Sequence, residues 1–323
     1  MEVSRKVLPT GLYCLFKEYK LMEDNRNEAL TAGNNALAQE HWREAIEIFD
    51  ELYADEQSLE LNYKLVRALF ANKQYQLAQQ YLAEYLDAYL DDPEYLDILL
   101  AVFVQNHNFI EARQLLMSVT DLTVRETGLA LVVSGEEKAR VDSTETFKVV
   151  LRQFIHLGDF EFGEQFNRYR AALKLPLDEY LKGAKFLLRD EYVLPMVRAS
   201  ILESLARLQI NDEISFLWFD GEEHSFNPSR TIPALASETA KTVWNVLNET
   251  VGQDDPMALQ ILAEDLKLKL ATAFPLLDEI ISDPIGWTKY QIARYQDTDL
   301  PELAENDIKW IEKLDEILAE VGL

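Results

Sequence analysis

The residues of this chain that could carry out chemistry by themselves are few and scattered. Its histidines are His41, His107, His156 and His224, and its single cysteine is Cys14. A closed metal site needs three or four ligands that converge on one point. The run Glu222-Glu223-His224 is the nearest approach to such a set. Because it does not supply that many converging ligands, we predict no metal site.

Signatures of nucleophilic catalysis and of phosphate binding are also missing from the sequence. Cys14 has no supporting partner, so it is not a credible nucleophile. Neither Gly-x-Gly-x-x-Gly nor Gly-x4-Gly-Lys-Ser/Thr occurs, and His-Glu-x-x-His is absent. We therefore predict no catalytic residue and no cofactor, and we interpret the protein as a non-enzyme.

The composition indicates a folded, helix-rich and acidic protein. Hydrophobic residues make up 48% of the 323 residues, Gly and Pro number only 11 and 10, and the formal net charge is −26. Such a charge repels nucleic acid and anionic membranes, so neither is a predicted partner. No run is apolar enough to span a bilayer, and the N-terminus lacks a signal-peptide cleavage site. We expect a cytoplasmic protein of bacterial origin.

An internal repeat predicts the elements that position the remaining side chains. Ala45, Ala78 and Ala112 lie 33 and 34 residues apart, and each follows an aromatic residue by three positions. A period of this size indicates stacked helical hairpins. With Ala45 at position 20 of a 34-residue unit, Gly33 falls at position 8 and Phe49 at position 24. Small residues at positions 8 and 20 let the two helices of a hairpin approach closely.

This pattern resembles the tetratricopeptide repeat, whose consensus is Trp-x2-Leu-Gly-x2-Tyr, then Ala-x3-Phe, then Pro. We predict three such units in residues 22–120 and an insertion at residues 121–142, part of which could be buried helix or a short strand. Two degenerate units are predicted in residues 143–210, the first of them with Gly163 at position 20. Residues 1–21 have no repeat register: translation starts at Met22, or they form a short helix on the first unit.

Residues 211–323 show a different pattern. Asp220-Gly221 between two runs of strand-forming residues predicts a β-hairpin at residues 213–227. Five helices are expected behind it, at Ala236–Val251, Pro256–Phe274, Leu276–Ser282, Trp287–Tyr295 and Glu302–Val321. Through Trp218-Phe219-Asp220-Gly221 and Asn227-Pro228 this part is loosely similar to uncharacterised tetratricopeptide proteins of low-GC Gram-positive bacteria. The predicted fold is mainly α: a right-handed α-solenoid followed by a helical region with one β-hairpin.

In the family that the repeats resemble, the first helix of each unit lines a concave groove. The resemblance places these candidate partner-binding residues there: Asn34, Tyr63, Arg67, Phe70, Lys148, Arg152 and His156. A basic groove inside an acidic shell suits an extended peptide with acidic groups or a free C-terminus. The alternative is local charge balance, with Glu145 beside Lys148. Leu30 stands where chaperone-binding members carry Lys, so their function is not inferred here.

The resulting hypothesis is a non-enzymatic adaptor that binds a protein or peptide in its groove. One alternative is a receptor of the kind that Gram-positive bacteria use for peptide signals, although Met1–Asn27 is too short for the usual DNA-binding domain. Another is an enzyme with a site between the repeats and the C-terminal helices. Self-association also stays open, because Glu302–Val321 could cap the solenoid or reach another copy.

Overall fold

The computed structural model describes residues 10–252 and 255–322, and on the first helix the side chains from Asp24 onward. Two compact units divide the chain. The first holds the chain up to Asn106 together with Asp121–Val132, and the second holds His107–Thr120 and the chain from Val133 onward. The two helices of the third predicted repeat therefore belong to different units.

Helices dominate both units. In chain order the elements are α1 (Thr10–Ala38), α2 (Trp42–Asp55), α3 (Leu59–Ala71), α4 (Tyr75–Ala83), α5 (Leu86–Asp91), α6 (Pro93–Gln105), α7 (Phe109–Ser118), α8 (Leu122–Asp142), α9 (Thr144–Ile155), α10 (Phe162–Ala172), α11 (Leu177–Leu187), α12 (Pro195–Arg207), β1 (Ile214–Leu217), β2 (Glu223–Phe226), α13 (Glu238–Thr250), α14 (Pro256–Ala273), α15 (Leu277–Ile280), α16 (Pro284–Gln296) and α17 (Glu305–Glu320). The prediction of a mainly helical, solenoid-like fold with one β-hairpin is confirmed.

The predicted N-terminal extension, residues 1–21, lies partly outside the described residues, which begin at Thr10. From Thr10 the backbone is helical and continues without interruption into the first helix of the first repeat. The side chain of Cys14 lies outside the described part. Translation from Met22 and the alternative of a genuine segment packed on the first repeat both stay predictions.

Close helix packing in the first unit follows the repeat. Consecutive helices contact one another, α1 on α2, α2 on α3 and α3 on α4. Ala45, Ala78 and Phe49 are fully buried. A Cβ added to Gly33 would lie 2.8 Å from Cε1 of Phe49, so the hairpin can close this tightly only around glycine. These contacts confirm the predicted packing at positions 8, 20 and 24.

In the second unit, α9 packs on α10 and α11. Phe147 and Phe154 are buried as predicted. The prediction that Gly163 is a close-packed residue is wrong: Gly163 is exposed, and an added Cβ would have no heavy atom within 4 Å. Gln165 takes the buried position of that turn instead. Two residues along a helix rotate a side chain by about 200°, so Gly163 faces outward when Gln165 faces inward.

Helix α8 accounts for the predicted insertion. Gly128–Gly135, for which helix and strand were both open, lies inside this helix. Glu136, in the part of α8 that belongs to the second unit, is buried and accepts two hydrogen bonds from Arg113 on α7. Its Oε1 also accepts from the backbone N–H of Leu177, at 3.2 Å, so one carboxylate links three helices.

The β-hairpin has the predicted Asp-Gly turn. Ile214 pairs with Phe226 and Leu217 with Glu223. Gly221 has a φ of 89°, which an L-amino acid rarely adopts, and Asp220 Oδ1 accepts from the N–H of Glu222 at 2.8 Å. The backbone N–H of Leu217 donates to the carbonyl of Leu188 at 2.7 Å, which fixes β1 to the end of α11. An isolated two-stranded hairpin is only marginally stable in water, and this hydrogen bond to the end of α11 stabilises it.

Helix α17 lies against α14 and α15 of the same unit. Its apolar stripe, Ile311, Leu314 and Leu318, is buried there. The fully buried Asp307 accepts from the N–H and the hydroxyl of Ser282 at 3.1 and 2.9 Å. The amphipathic stripe is therefore covered within the unit, and self-association stays a prediction.

Candidate functional site

Helix α3 carries three of the predicted partner-binding residues. Ser58 caps its N-terminus by accepting from the N–H of Leu61, and Leu65 and Leu69 on its inner face are fully buried. The helical period then leaves Tyr63 and Phe70 half-buried at the edge and Arg67 exposed.

Tyr63 is the most constrained residue of this face. Its hydroxyl donates to Glu94 Oε1 at 2.8 Å, and its ring lies 4.3 Å from the ring of Tyr95. Burial, and then the hydrogen bond to Glu94, raise the pKa of Tyr63 to about 12. The phenol is therefore a fixed hydrogen-bond donor at neutral pH, and its ring presents a rigid apolar surface.

Arg67 lies beside that ring. Its guanidinium carbon is 5.6 Å from the centroid of Tyr63. Within the part of the chain that the structure describes, Arg67 makes no ion pair. Phe70, one turn further, packs on Tyr75 with 5.3 Å between ring centroids. Asn34 is exposed on α1. A cation, aromatic rings and an amide on one unit offer the donors and flat surfaces that peptide recognition uses.

The other three predicted residues belong to the second unit. Lys148 Nζ lies 2.8 Å from Glu145 Oε1, which is the local charge balance considered as the alternative for this residue. His156 Nδ1 lies 3.4 Å from Asp159 Oδ2. Arg152 is exposed, without an ion pair to any described residue. The seven candidates thus form two groups, one on each unit, and their common role stays a prediction.

Residues 36–102 match the family Tetratricopeptide repeat. The matched tetratricopeptide repeat stretch contains Tyr63, Arg67 and Phe70, whereas Asn34 lies two residues before it and the second group lies beyond it. A search of the curated proteins found no match. Three residues of the first group therefore lie within the matched stretch, and their role in binding stays a prediction.

The residues that surround Tyr63 were not predicted from the sequence. Glu94 and Tyr95 hold its hydroxyl and its ring, and the fully buried Tyr89 lies 5.6 Å from Tyr95. Tyr63 and Glu94 are 31 residues apart, as are Tyr81 and its acceptor Asp50. A search for tyrosines and acids at that spacing across the predicted repeats would have found both pairs.

The histidines that could carry out chemistry make local contacts. His107 packs against Phe109 and Phe147, and burial lowers its pKa. His224 Nε2 lies 2.8 Å from Asp220 Oδ2 at the hairpin. Among the described residues no group of three or more His, Cys, Asp or Glu side chains is arranged to hold a metal ion. No described helix combines the length and apolarity that crossing a membrane requires.

Proposed function

We propose that this protein is a non-enzymatic adaptor. It binds an extended peptide segment of a partner protein on the first unit, through Asn34 on α1 and through Tyr63, Arg67 and Phe70 on α3. The observation that carries the proposal is Arg67. It is an exposed cation in a chain of net charge −26, yet it has no carboxylate partner among the described residues. A partner carboxylate can fill that position with a bidentate, charge-assisted hydrogen bond.

The neighbours of Arg67 suit the same role. Tyr63 and Phe70 are half-buried, so their rings are already ordered and lose little conformational entropy when a ligand covers them. Tyrosine and arginine are also the residue types most often found at binding hot spots. Asn34 adds a side-chain amide that can hydrogen-bond a peptide backbone.

The match to the tetratricopeptide repeat supports an interaction module, because stacked helical hairpins create extended binding surfaces. The proposal includes a cytoplasmic location, a bacterial source similar to low-GC Gram-positive species, and a partner that is neither nucleic acid nor membrane. The net charge supports the last point through repulsion of phosphate groups.

The test compares two charge reversals on the same unit. Partners captured by the purified protein from native lysate are identified by mass spectrometry, and the affinity for the leading partner is then titrated. We expect Arg67→Glu to weaken that affinity by at least about tenfold, a change of about 1.4 kcal/mol. Arg43→Glu is the matched control, because Arg43 is exposed on the second helix of its hairpin. Equal affinities for the wild type and Arg67→Glu would refute the proposal.

A further inference from the structure

A groove in the second unit combines exposed aromatic rings with cations. It has a volume of about 680 Å³ and is lined by Lys185, Phe186, Arg189, Asp190, Glu191, Tyr192 and Leu217. Phe186 is 56% exposed and Tyr192 is 70% exposed. Exposed apolar residues that share one groove indicate a binding site more strongly than scattered ones do, and both rings line this groove. The size is within the range of about 300–1,000 Å³ that ligand sites occupy.

The turn that carries Tyr192 is held rigidly. The N–H of Tyr192 donates to Asp190 Oδ1 at 3.0 Å, and its carbonyl accepts from Gln165 Nε2 at 3.1 Å. Arg198, which is buried, donates to the carbonyl of Asp190 at 2.7 Å. On the far side, Gly158 leaves no room for a side chain, since an added Cβ would lie 2.8 Å from Cβ of Tyr192. A fixed backbone that presents an exposed ring is already in a binding geometry.

The cations of the groove have exchangeable partners. Lys185 Nζ lies 2.9 Å from Asp212, and Arg189 Nη2 lies 3.0 Å from Glu223. In both ion pairs each side chain is about half exposed, so each pair contributes little to stability and a ligand carboxylate can replace the internal one. Lys182, also exposed and one turn before Lys185 and Phe186, makes no ion pair within the described chain.

The sequence around the groove is less acidic than the rest of the chain. Residues 148–191 contain eight Lys or Arg and seven Asp or Glu, whereas the whole chain has 31 basic and 57 acidic residues. The acids of the groove itself are Asp190, whose carboxylate is engaged with its own turn, and Glu191, which is exposed. Glu191 is thus the groove residue whose carboxylate would repel an anionic ligand most strongly.

We infer that this groove is a second docking site, for an extended peptide segment that carries acidic side chains next to large apolar ones. The acidic groups pair with Lys185 and Arg189, and the apolar side chains pack on Phe186 and Tyr192. This inference rests on the proposed adaptor function, because both sites would bind a peptide segment. The groove shares no residue with the face around Arg67.

The test uses a fluorescein-labelled peptide, Gly-Asp-Glu-Leu-Phe-Glu-Asp-Gly, and fluorescence anisotropy with the full chain. We expect saturable binding with a Kd below about 1 mM. A peptide with lysine at the four acidic positions, and one with Ser-Ser in place of Leu-Phe, are each expected to bind at least about tenfold more weakly. The absence of saturable binding, or equal binding of the lysine peptide, would overturn the inference.

The protein variants separate this groove from general attraction between charges. Arg189→Glu and Phe186→Ser should each weaken binding by about tenfold, whereas Glu191→Lys should strengthen it. Arg207→Glu is the matched control, because Arg207 is similarly exposed and also paired with a glutamate. Arg67→Glu is measured in parallel, and a loss of binding with Arg67→Glu but not with Arg189→Glu would assign the peptide to the face around Arg67 and contradict the groove. Full binding by Arg189→Glu, or an equal loss with Arg207→Glu, would contradict the site.

Discussion

At the scale of single residues, tyrosine hydroxyls join neighbouring helical hairpins of the first unit. The donor and acceptor pairs are Tyr53 with Glu84, Tyr63 with Glu94 and Tyr81 with Asp50, each separated by 31 residues. The pairs Tyr53–Glu84 and Tyr81–Asp50 join α2 to α4 and its C-cap in opposite directions, and Tyr63–Glu94 joins α3 to α6. A phenolate cannot donate a hydrogen bond, so these contacts depend on protonated tyrosines.

This dependence predicts alkaline sensitivity. The pKa of Tyr63 is raised from 10.0 to about 12 by burial and by Glu94, and that of Tyr81 to about 12 by Asp50 and then burial. Because the folded pKa exceeds the unfolded one, the stabilisation is fully present below pH about 10 and is lost as the pH rises towards about 12. Urea midpoints should fall across that window, while tyrosine absorbance reports the ionisation.

The matched comparison for this prediction is Tyr63→Phe. It removes one late-titrating phenol, so the absorbance change near pH 12 should shrink and the alkaline fall in stability should become shallower. A tyrosine titration of the folded protein with a single midpoint near pH 10 and no component near pH 12 would contradict the assignment.

Asn62 predicts a second residue-scale effect. It is fully buried; its Nδ2 donates to the Tyr81 carbonyl at 2.8 Å, and its Oδ1 accepts from the Tyr89 hydroxyl at 2.8 Å. Asn62→Leu keeps the branched shape of the side chain but leaves the Tyr89 hydroxyl without its acceptor and removes one of the two donors to the Tyr81 carbonyl, which should lower the free energy of unfolding by about 1–3 kcal/mol. The measurement is urea denaturation followed by circular dichroism.

Asn34→Leu is the control for this substitution, because Asn34 is exposed on α1. Its effect on the free energy of unfolding should stay within about 0.5 kcal/mol. Equal stability of Asn62→Leu and the wild type would show that the buried network contributes nothing.

At the scale of elements, the Arg113–Glu136 pair binds α7 to α8. Arg113 Nε and Nη2 donate to Glu136 Oε1 and Oε2, both at 2.8 Å, and the glutamate side chain is only 3% exposed. Arg113→Met leaves a buried carboxylate without its cation and should destabilise the second unit by about 3–5 kcal/mol. Thermal unfolding and urea denaturation measure the loss.

A double variant tests the cause. Arg113→Met with Glu136→Leu removes the buried charge as well, so it should be more stable than Arg113→Met alone, although the N–H of Leu177 still loses its acceptor. Lys148→Met breaks an exposed pair and should change the free energy of unfolding by less than about 1 kcal/mol. A double variant no more stable than the single one would contradict this explanation.

Elements with a strong local signal were predictable from sequence. The buried alanines, the Gly33–Phe49 contact and the Asp220-Gly221 turn follow from spacing and from backbone preference alone. Gly163 was misplaced because the inserted segment interrupts the repeat, so a count of 34 residues no longer fixes which side of α10 faces inward. Periodicity likewise could not decide between helix and strand for Gly128–Gly135.

The candidate site was predictable only in part. Helical spacing alone orders Tyr63, Arg67 and Phe70 along one face of α3. The contact of Tyr63 with Glu94 depends on how one hairpin stacks on the next, which no local pattern encodes. The groove at Phe186 and Tyr192 depends on the carbonyl of Leu188 meeting β1, a tertiary contact that joins a helix end to a strand.

At the scale of the whole molecule, the net charge of −26 sets the background for every local contact. Like charges repel one another in the compact state, and unfolding lets them separate. Ion pairs act in the opposite sense, but most of those described are exposed and each contributes at most about 1 kcal/mol. Self-repulsion should therefore dominate the response of stability to salt.

We accordingly expect the Tm to rise as NaCl increases from about 0.05 to about 0.5 M, because the screening length falls below about 10 Å over that range. Each kcal/mol gained corresponds to about 2–4 °C for a domain of 150–250 residues. Glu47 and Glu51 are exposed and have no ion pair within the described chain, so Glu47→Gln with Glu51→Gln should raise the Tm at low salt and have little effect at high salt. Differential scanning calorimetry measures both effects. A Tm that falls with NaCl would mean that the exposed ion pairs outweigh the repulsion.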